Sequence, residues 1–267
     1  MKKGSLVVVG TGILTPAHLS QESIDRIETA DIVHVLVTDA LGMSTIKKLN
    51  RKIKNLGDLY YDPNSDKNGS NRLEAYNLMV ESILKDVRSG LKVCAIFYGH
   101  PGVFVYPSHV SIEKAKEEGF EAKMLPAISA EDCLFADLGV DPGEMGCQAY
   151  EASQFMFYKH SINVHAALVL WQVGVAGELT FTKLKPAKNG LLMLKDRLLD
   201  YYPEEHKITL YEATTLPMTS SRTENILIQN LEKIKVRTVT TLYIPPLCVP
   251  KINDKFSKKW NIDTSNL

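Results

Sequence analysis

The sequence predicts an α/β protein of two domains, on three observations. Short apolar, β-branched runs alternate with stretches of helical period through the first half, the pattern of a parallel sheet built from strand–helix units. Two of those runs end in glycine-bearing turns, Gly10-Thr11-Gly12 and Tyr98-Gly99-His100-Pro101-Gly102. A second set of strands and helices follows Pro126, which sets domains of residues 1–125 and 126–250 and leaves 251–267 as a loosely held polar tail.

Taken in order, Ser5–Val9 is a buried strand that runs into the first glycine turn. Ser20 is placed to cap a helix through Ile24, Ile27 and Ala30. Ile32–Val37 is a second strand and Ser44–Leu49 a short helix. Asp58–Asp62, holding Leu59, Tyr60 and Tyr61, is a short strand or its exit. Pro63–Ser70 consists of turn formers and charges and reads as an exposed, mobile loop. A long helix from Asn71 to Ser89 carries Leu73, Tyr76, Val80, Ile83, Leu84 and Val87 at helical period, with Gly90 fit to end it. Val93–Phe97 is another buried strand, His109–Glu118 a helix and Glu121–Leu125 a strand. Beyond Pro126 the strands are Ala166–Trp171, Ile208–Glu212 and Thr238–Ile244, and the helices Gly190–Tyr201 and Glu224–Leu231.

Composition narrows the function. The 267 residues are 45% apolar and 23% charged, with a formal net charge of zero. No basic excess points to nucleic acid or an anionic membrane. Cys94, Cys133, Cys147 and Cys248 form no CxxC pair and no histidine stands at ligand spacing from them, so no metal site is expected. The apolar start is too short for a signal peptide, and no run approaches the roughly 20 residues of a membrane helix. A reducing cytoplasm is the expected location.

Chemistry is concentrated in the turns. Gly10-Thr11-Gly12-Ile13-Leu14-Thr15 begins like a dinucleotide fingerprint but lacks the third glycine, and Asp39 only approximates the ribose-holding acid, so a nicotinamide site is disfavoured. Alone it reads as a tight turn. The second turn is different. It follows a buried strand, where open α/β sheets bind ligands. Its two glycines permit close backbone approach, Pro101 stiffens it, and Tyr98 and His100 add polar groups to an apolar stretch.

Gly10-Thr11-Gly12, then Tyr98-Gly99-His100-Pro101-Gly102-Val103-Phe104, then Pro126-Ala127-Ile128-Ser129-Ala130 together resemble the tetrapyrrole methylase superfamily. The resemblance implies two α/β domains with S-adenosylmethionine folded up in the cleft between them. A narrower likeness lies in Asp58-Leu59-Tyr60-Tyr61, Arg72-Leu73 with Tyr76, Val103-Phe104-Val105 with Pro107-Ser108-His109, Ser129 to Leu138, Tyr150-Glu151-Ala152-Ser153 and Tyr243-Ile244-Pro245-Pro246. In these the chain resembles the borosin peptide α-N-methyltransferases, from Gly4 to about Pro246. The Pro63–Ser70 loop is longer than the family's connection, which leaves open whether Tyr60 or Tyr61 faces the active site.

The resemblance implies a donor site lined by Tyr98, His100, Val103, Ser129, Ala130, Gln172, Ala213, Thr240 and Thr241. S-adenosylhomocysteine would be the product. The acceptor, a backbone amide nitrogen, shares its lone pair with the carbonyl and is a poor nucleophile. It needs a strong base and a cation for the developing imidate. Arg72 and Tyr76 stand four apart on one helix face, so Tyr76 is the expected base and Arg72 the expected cation. Tyr98 is expected to hydrogen-bond the amide carbonyl, with Tyr60 or Tyr61 orienting the amide. About 20 residues follow Pro246, rich in Lys255, Lys258, Lys259 and Trp260 rather than apolar, so the expected substrate is a separate precursor peptide methylated in trans. The family's interlocked homodimer is carried over as well, giving a heterotetramer with two precursors. Another methylase of the same superfamily and a non-catalytic peptide-binding module are the rival readings.

Overall fold

A computed structural model describes residues 3–37, 39–59, 72–180 and 185–265. The chain divides into two compact units. The first comprises Met1–Val140, Glu178–Leu184 and Tyr211–Thr223; the second Asp141–Gly177, Lys185–Leu210 and Glu224–Leu267. The first unit thus continues past the boundary expected at Pro126 and takes up two later segments, which a single cut in the sequence does not describe.

Along the chain run β1 (Ser5–Gly10), α1 (Gln21–Glu28), β2 (Ile32–Leu36), α2 (Ala40–Leu49), β3 (Ile53–Asn55), α3 (Arg72–Arg88), β4 (Lys92–Phe97), α4 (Tyr106–Glu117), β5 (Glu121–Met124) and α5 (Ala130–Leu138). The strands form a sheet of order β3-β2-β4-β1-β5, parallel throughout. Right-handed crossovers place helices that lead toward β3 on one face and those that lead toward β5 on the other. Packing follows that rule. Ile27 of α1 and Ile46 of α2 pack with Val9, Val33, Val35, Cys94 and Ile96. Met79 and Ile83 of α3 and Ala115 of α4 pack with Leu6, Val8, Val93, Ala95 and Phe97. Successive residues of β4 therefore serve opposite cores, which is why its sequence is a continuous apolar run.

One polar group is built into the second of these cores. His34 of β2 is fully buried, and its Nε2 lies 2.7 Å from Asp86 Oδ2 on α3. Lys54 of β3 donates to both oxygens of Asp86, at 2.9 and 2.7 Å. Burial lowers the His34 pKa against the opposing pull of Asp86. Burial alone would raise Asp86, but the bonds from Lys54 and His34 outweigh it and hold the carboxyl below its ordinary value.

In the second half come α6 (Pro142–Met145), β6 (Cys147–Glu151), α7 (Ala152–Phe157), β7 (Ala167–Trp171), α8 (Gly190–Leu199), β8 (Lys207–Glu212), β9 (Arg222–Leu227), β10 (Thr241–Ile244) and α9 (Asp254–Trp260). Their sheet has the order β6-β7-β10-β8-β9, with β6 parallel and β10 antiparallel to β7. Phe155, Leu194 and Leu198 pack on Leu168, Leu170, Leu242 and Ile244. The expected helix Glu224–Leu231 is corrected: β9 occupies Arg222–Leu227 and a 3-10 helix Ile228–Lys233. The apolar spacing of three that suggested a helix belongs to buried Ile228 and Leu231 of the 3-10 turn. The preceding residues gain more by pairing at the sheet edge, where Thr209 Oγ1 donates to Asn225 Oδ1 at 2.8 Å. In the tail, α9 is capped by Asn253, which accepts from Phe256 N, and none of its residues is buried. No helix among the described residues is long and apolar enough to cross a membrane.

Candidate active site

β1 and β4 are neighbours whose outgoing connections lead to opposite faces of the sheet, the place where open α/β sheets bind ligands. Both glycine turns begin there, and they are tied together. Thr11 N donates to Phe97 O at 2.9 Å, Gly12 N to Gly99 O at 3.2 Å, and Gly99 N to Gly12 O at 3.0 Å. Gly10 is required by this closeness, because a Cβ on it would lie 2.1 Å from the Gly99 carbonyl oxygen. Gly99 has φ +69°, and a Cβ on it would meet only Ile13 Cδ1, at 3.5 Å, so the ledge formed by the turn is open. His100 Nδ1 accepts from Gly102 N at 3.0 Å, which leaves Nε2 as the protonated nitrogen of the neutral ring. His109 Nε2 lies 2.9 Å from Gly102 O and pins the far side of the turn.

Beside the turn is a cavity of about 430 Å³ whose walls include Leu36, Tyr76, Phe97, Tyr98, Phe104 and Pro107. Two phenols thus share a largely apolar pocket. Tyr76 stacks on Tyr106 with ring centroids 6.0 Å apart, and Tyr106 OH donates to Asn77 Oδ1 at 3.3 Å. Phe104 has φ +57°, a left-handed backbone that costs a non-glycine residue on the order of 1–3 kcal/mol and is found chiefly where a site demands it. Burial, then the neighbouring Cys133 and Asp39, push the Tyr98 phenol up to about 12. It therefore stays protonated and is a hydrogen-bond donor. Tyr211 donates to Asp137 Oδ2 at 2.7 Å, and burial with that bond raises its pKa too. Asp39 is the N-cap of α2, accepting from Gly42 N at 2.6 Å, which explains its place after β2 without a ribose.

Arg72 opens α3, and Tyr76 follows one turn later, so the two project from the same face as the spacing predicts. Arg72 Nη2 donates to Glu178 Oε2 at 3.1 Å. Nothing in the local sequence pattern marked Glu178, Tyr211 or Tyr106, and Asp137 was marked only as part of the Ser129 to Leu138 likeness.

Of the expected donor residues, Tyr98, His100 and Val103 lie in and beside the turn of the first unit. Ser129 and Ala130 begin α5 in the same unit. The Ser129 hydroxyl is committed: it accepts from Glu131 N and Asp132 N and donates to Asp132 Oδ2, a capping box readable from Ser129-x-x-Asp132. Ala213 follows Tyr211 and Glu212 in that unit. In the second unit Val173 N donates to Thr240 O at 3.1 Å, which brings Gln172, at φ +56°, beside Thr240 and Thr241 where the antiparallel β7 and β10 meet. Tyr60 and Tyr61, and the Pro63–Ser70 loop, lie outside the described residues.

Residues 5–234 match the tetrapyrrole (corrin/porphyrin) methylases. The chain is 43% identical over 251 residues to the methyltransferase/ribosomally synthesized cyclic peptide gymnopeptides precursor of Gymnopus fusipes, covering 91% of this chain and 57% of that protein. It is 37% identical to a methyltransferase/ribosomally synthesized type I borosin cyclic peptide precursor of Coprinopsis marcescibilis, covering 99% of this chain and 68% of that one. The chain thus spans little more than half the length of the first of these relatives. Among solved structures, uroporphyrin-III-C-methyltransferase from Thermus thermophilus superposes with a TM-score of 0.62 at 16% identity, over 94% of this chain and 99% of that one, a likeness of fold. With the family matched over most of its length and the two glycine turns joined at the switch point of the parallel sheet, the chain belongs to the tetrapyrrole methylase family.

Proposed function

We propose that this protein is an S-adenosylmethionine-dependent α-N-methyltransferase of peptide backbone amides, acting repeatedly on a separate precursor peptide in borosin biosynthesis. The observation that carries the reading is the pairing of Arg72 and Tyr76 on one face of α3, with Tyr76 and Tyr98 in one cavity. The similarity to methyltransferase–cyclic peptide precursors supports it.

The residues fit the donor. The open ledge at Gly99 admits a ligand against the backbone, and the Tyr98 ring suits a cation. The Ser129 hydroxyl and backbone N–H are both occupied by the α5 cap, so this residue serves the donor by shaping its site. Tyr98, His100, Val103, Ser129, Ala130 and Ala213 in the first unit, and Gln172, Thr240 and Thr241 in the second, are the proposed donor residues. When bound, S-adenosylmethionine supplies a methyl group on a positively charged sulfonium that leaves without acid assistance. The protein's task is the acceptor. Once the peptide is in place, Tyr76 gives its phenol proton to solvent and, as tyrosinate, takes the amide proton, while Arg72 stabilises the negative charge that spreads to the amide oxygen. Tyr98, held neutral, donates to that same oxygen. The apolar cavity excludes water, which strengthens each of these interactions. Tyr60 or Tyr61 orients the amide.

The partners follow from the reading: a precursor on another chain, and a homodimer that binds two of them. The lysine-rich helix α9 is unlike an apolar peptide substrate, which supports placing the methylated segment outside it. Cysteines outside any disulfide among the described residues suit a reducing cytoplasm.

The test is co-expression with a candidate precursor, with methyl groups mapped by fragment-ion mass spectrometry. Successive methyl additions are expected on precursor backbone nitrogens and none on residues 1–267. Tyr76→Phe and Arg72→Ala are each expected to slow them by roughly 10²–10⁴-fold, to a rate still measurable, while calorimetry shows donor binding retained. Near-normal methylation by either variant removes the base and cation assignments. Sedimentation is expected to show a dimer, and a stable monomer contradicts it.

A further inference from the structure

Glu178 stands 106 residues from Arg72 in sequence, and both belong to the first unit. Their side chains are 4% and 13% exposed. One carboxylate oxygen, Oε2, accepts from Arg72 Nη2 at 3.1 Å. The other, Oε1, accepts from Thr180 N at 3.0 Å and from Thr180 Oγ1. Engagement of both carboxylate oxygens fixes the side chain in place.

The position of Arg72 makes that counter-charge consequential. It is the first residue of α3, at the positive end of the helix dipole, where a cation is disfavoured. Guanidinium and helix terminus together bear on Tyr76, one turn further along the same face. Left alone, both would draw the phenol toward tyrosinate before any substrate arrived, burying a charge in a largely apolar cavity. Glu178 supplies the opposing charge from a fixed site.

We infer that Glu178 is a positioning residue: its carboxylate, held by Thr180, fixes the Arg72 guanidinium at the head of α3 and offsets its charge, so that Tyr76 keeps its proton at rest. The inference rests on the reading that Arg72 and Tyr76 work together in methylation, and it extends that reading to how the pair is kept poised.

A spectroscopic titration tests it on the full chain, without peptide or donor. Subtracting the ultraviolet tyrosinate signal of Tyr76→Phe from that of the parent isolates the Tyr76 phenol. The same subtraction in a Glu178→Gln background isolates the effect of the carboxylate. The Tyr76 midpoint is expected to fall by about one unit when Glu178 is neutralised, the order of effect of losing a nearby charge at an effective dielectric near 20. With the co-expressed precursor, Glu178→Gln is expected to lower kcat about tenfold, leave the donor KM unchanged, and cost nothing more on top of Arg72→Ala. An unmoved midpoint, or a loss that adds to that of Arg72→Ala, overturns the inference. Should Glu178→Gln fail to fold, Thr180→Val loosens the same carboxylate and is expected to shift the midpoint the same way by less; no shift overturns the inference equally. Normal methylation by Tyr76→Phe instead overturns the assignment of Tyr76 as the base, and the titration result stands apart from it.

Discussion

Tyr98 shows how one residue's environment selects its role. Its ring closes the cavity that Tyr76 also lines, and its phenol is held protonated by burial and by the nearby Cys133 and Asp39. A phenol in that state gives up its proton unwillingly, which suits the donor role toward an amide oxygen proposed for it. Tyr98→Phe is therefore expected to reduce methylation about 10²–10³-fold, the usual cost of one oxyanion donor. Donor affinity, measured by calorimetry, is expected to stay near the parent value, because the ring remains. A variant that methylates normally would remove Tyr98 from the chemistry. Ser129 is the converse case, a residue whose hydroxyl the α5 cap has already engaged.

At the scale of elements, β2, β3 and α3 are joined by a polar cluster inside an otherwise apolar core. Its pH behaviour follows from the shifts of its two titrating members. The His34 pKa is lowered in the fold, so below the unfolded value of about 6.5 the unfolded chain binds a proton that the folded chain refuses. Stability therefore falls as pH drops below that value. His34 Nδ1 has no hydrogen-bond partner among the described residues, so a second ring proton would be buried without an acceptor. Asp86, held below its ordinary value, adds a further loss as pH falls below about 4 toward its folded value. Urea midpoints measured between pH 7.5 and pH 5 are expected to fall for the parent and to fall less for His34→Leu; equal slopes would remove His34 as the cause. This cluster lies on α3, the helix that also carries Arg72 and Tyr76, so the same measurement reports on the scaffold of the site.

For the whole molecule, the proposed donor residues are distributed over both units, and each group is testable by itself. A ligand that binds only the folded chain stabilises it by an amount set by its concentration relative to Kd, about 2.7 kcal/mol at a hundredfold excess. S-adenosylmethionine and S-adenosylhomocysteine are expected to raise Tm accordingly, and nicotinamide dinucleotides are expected to have no effect. Tyr98→Ala and Gln172→Ala are each expected to shrink the shift. An unchanged shift in Gln172→Ala would remove Gln172 from the donor set.

Local patterns in the sequence carried much of this. The alternation of strand and helix, the Ser20 cap, the glycine turns and the Arg72–Tyr76 spacing each depend on residues close together in the chain, and a short stretch encodes them. Tertiary structure decided the rest. It tied Gly10-Thr11-Gly12 to the Tyr98–Gly102 turn through hydrogen bonds between strands far apart in sequence. It made a strand of Arg222–Leu227, because edge pairing outweighed a weak helical period. It set Glu178 against Arg72 and Asp137 against Tyr211, contacts 106 and 74 residues apart that no local period records. The sequence by itself determined which residues stand ready on each strand end and helix face; only the folded chain decided which charges meet, because burial and long-range pairing set their energies.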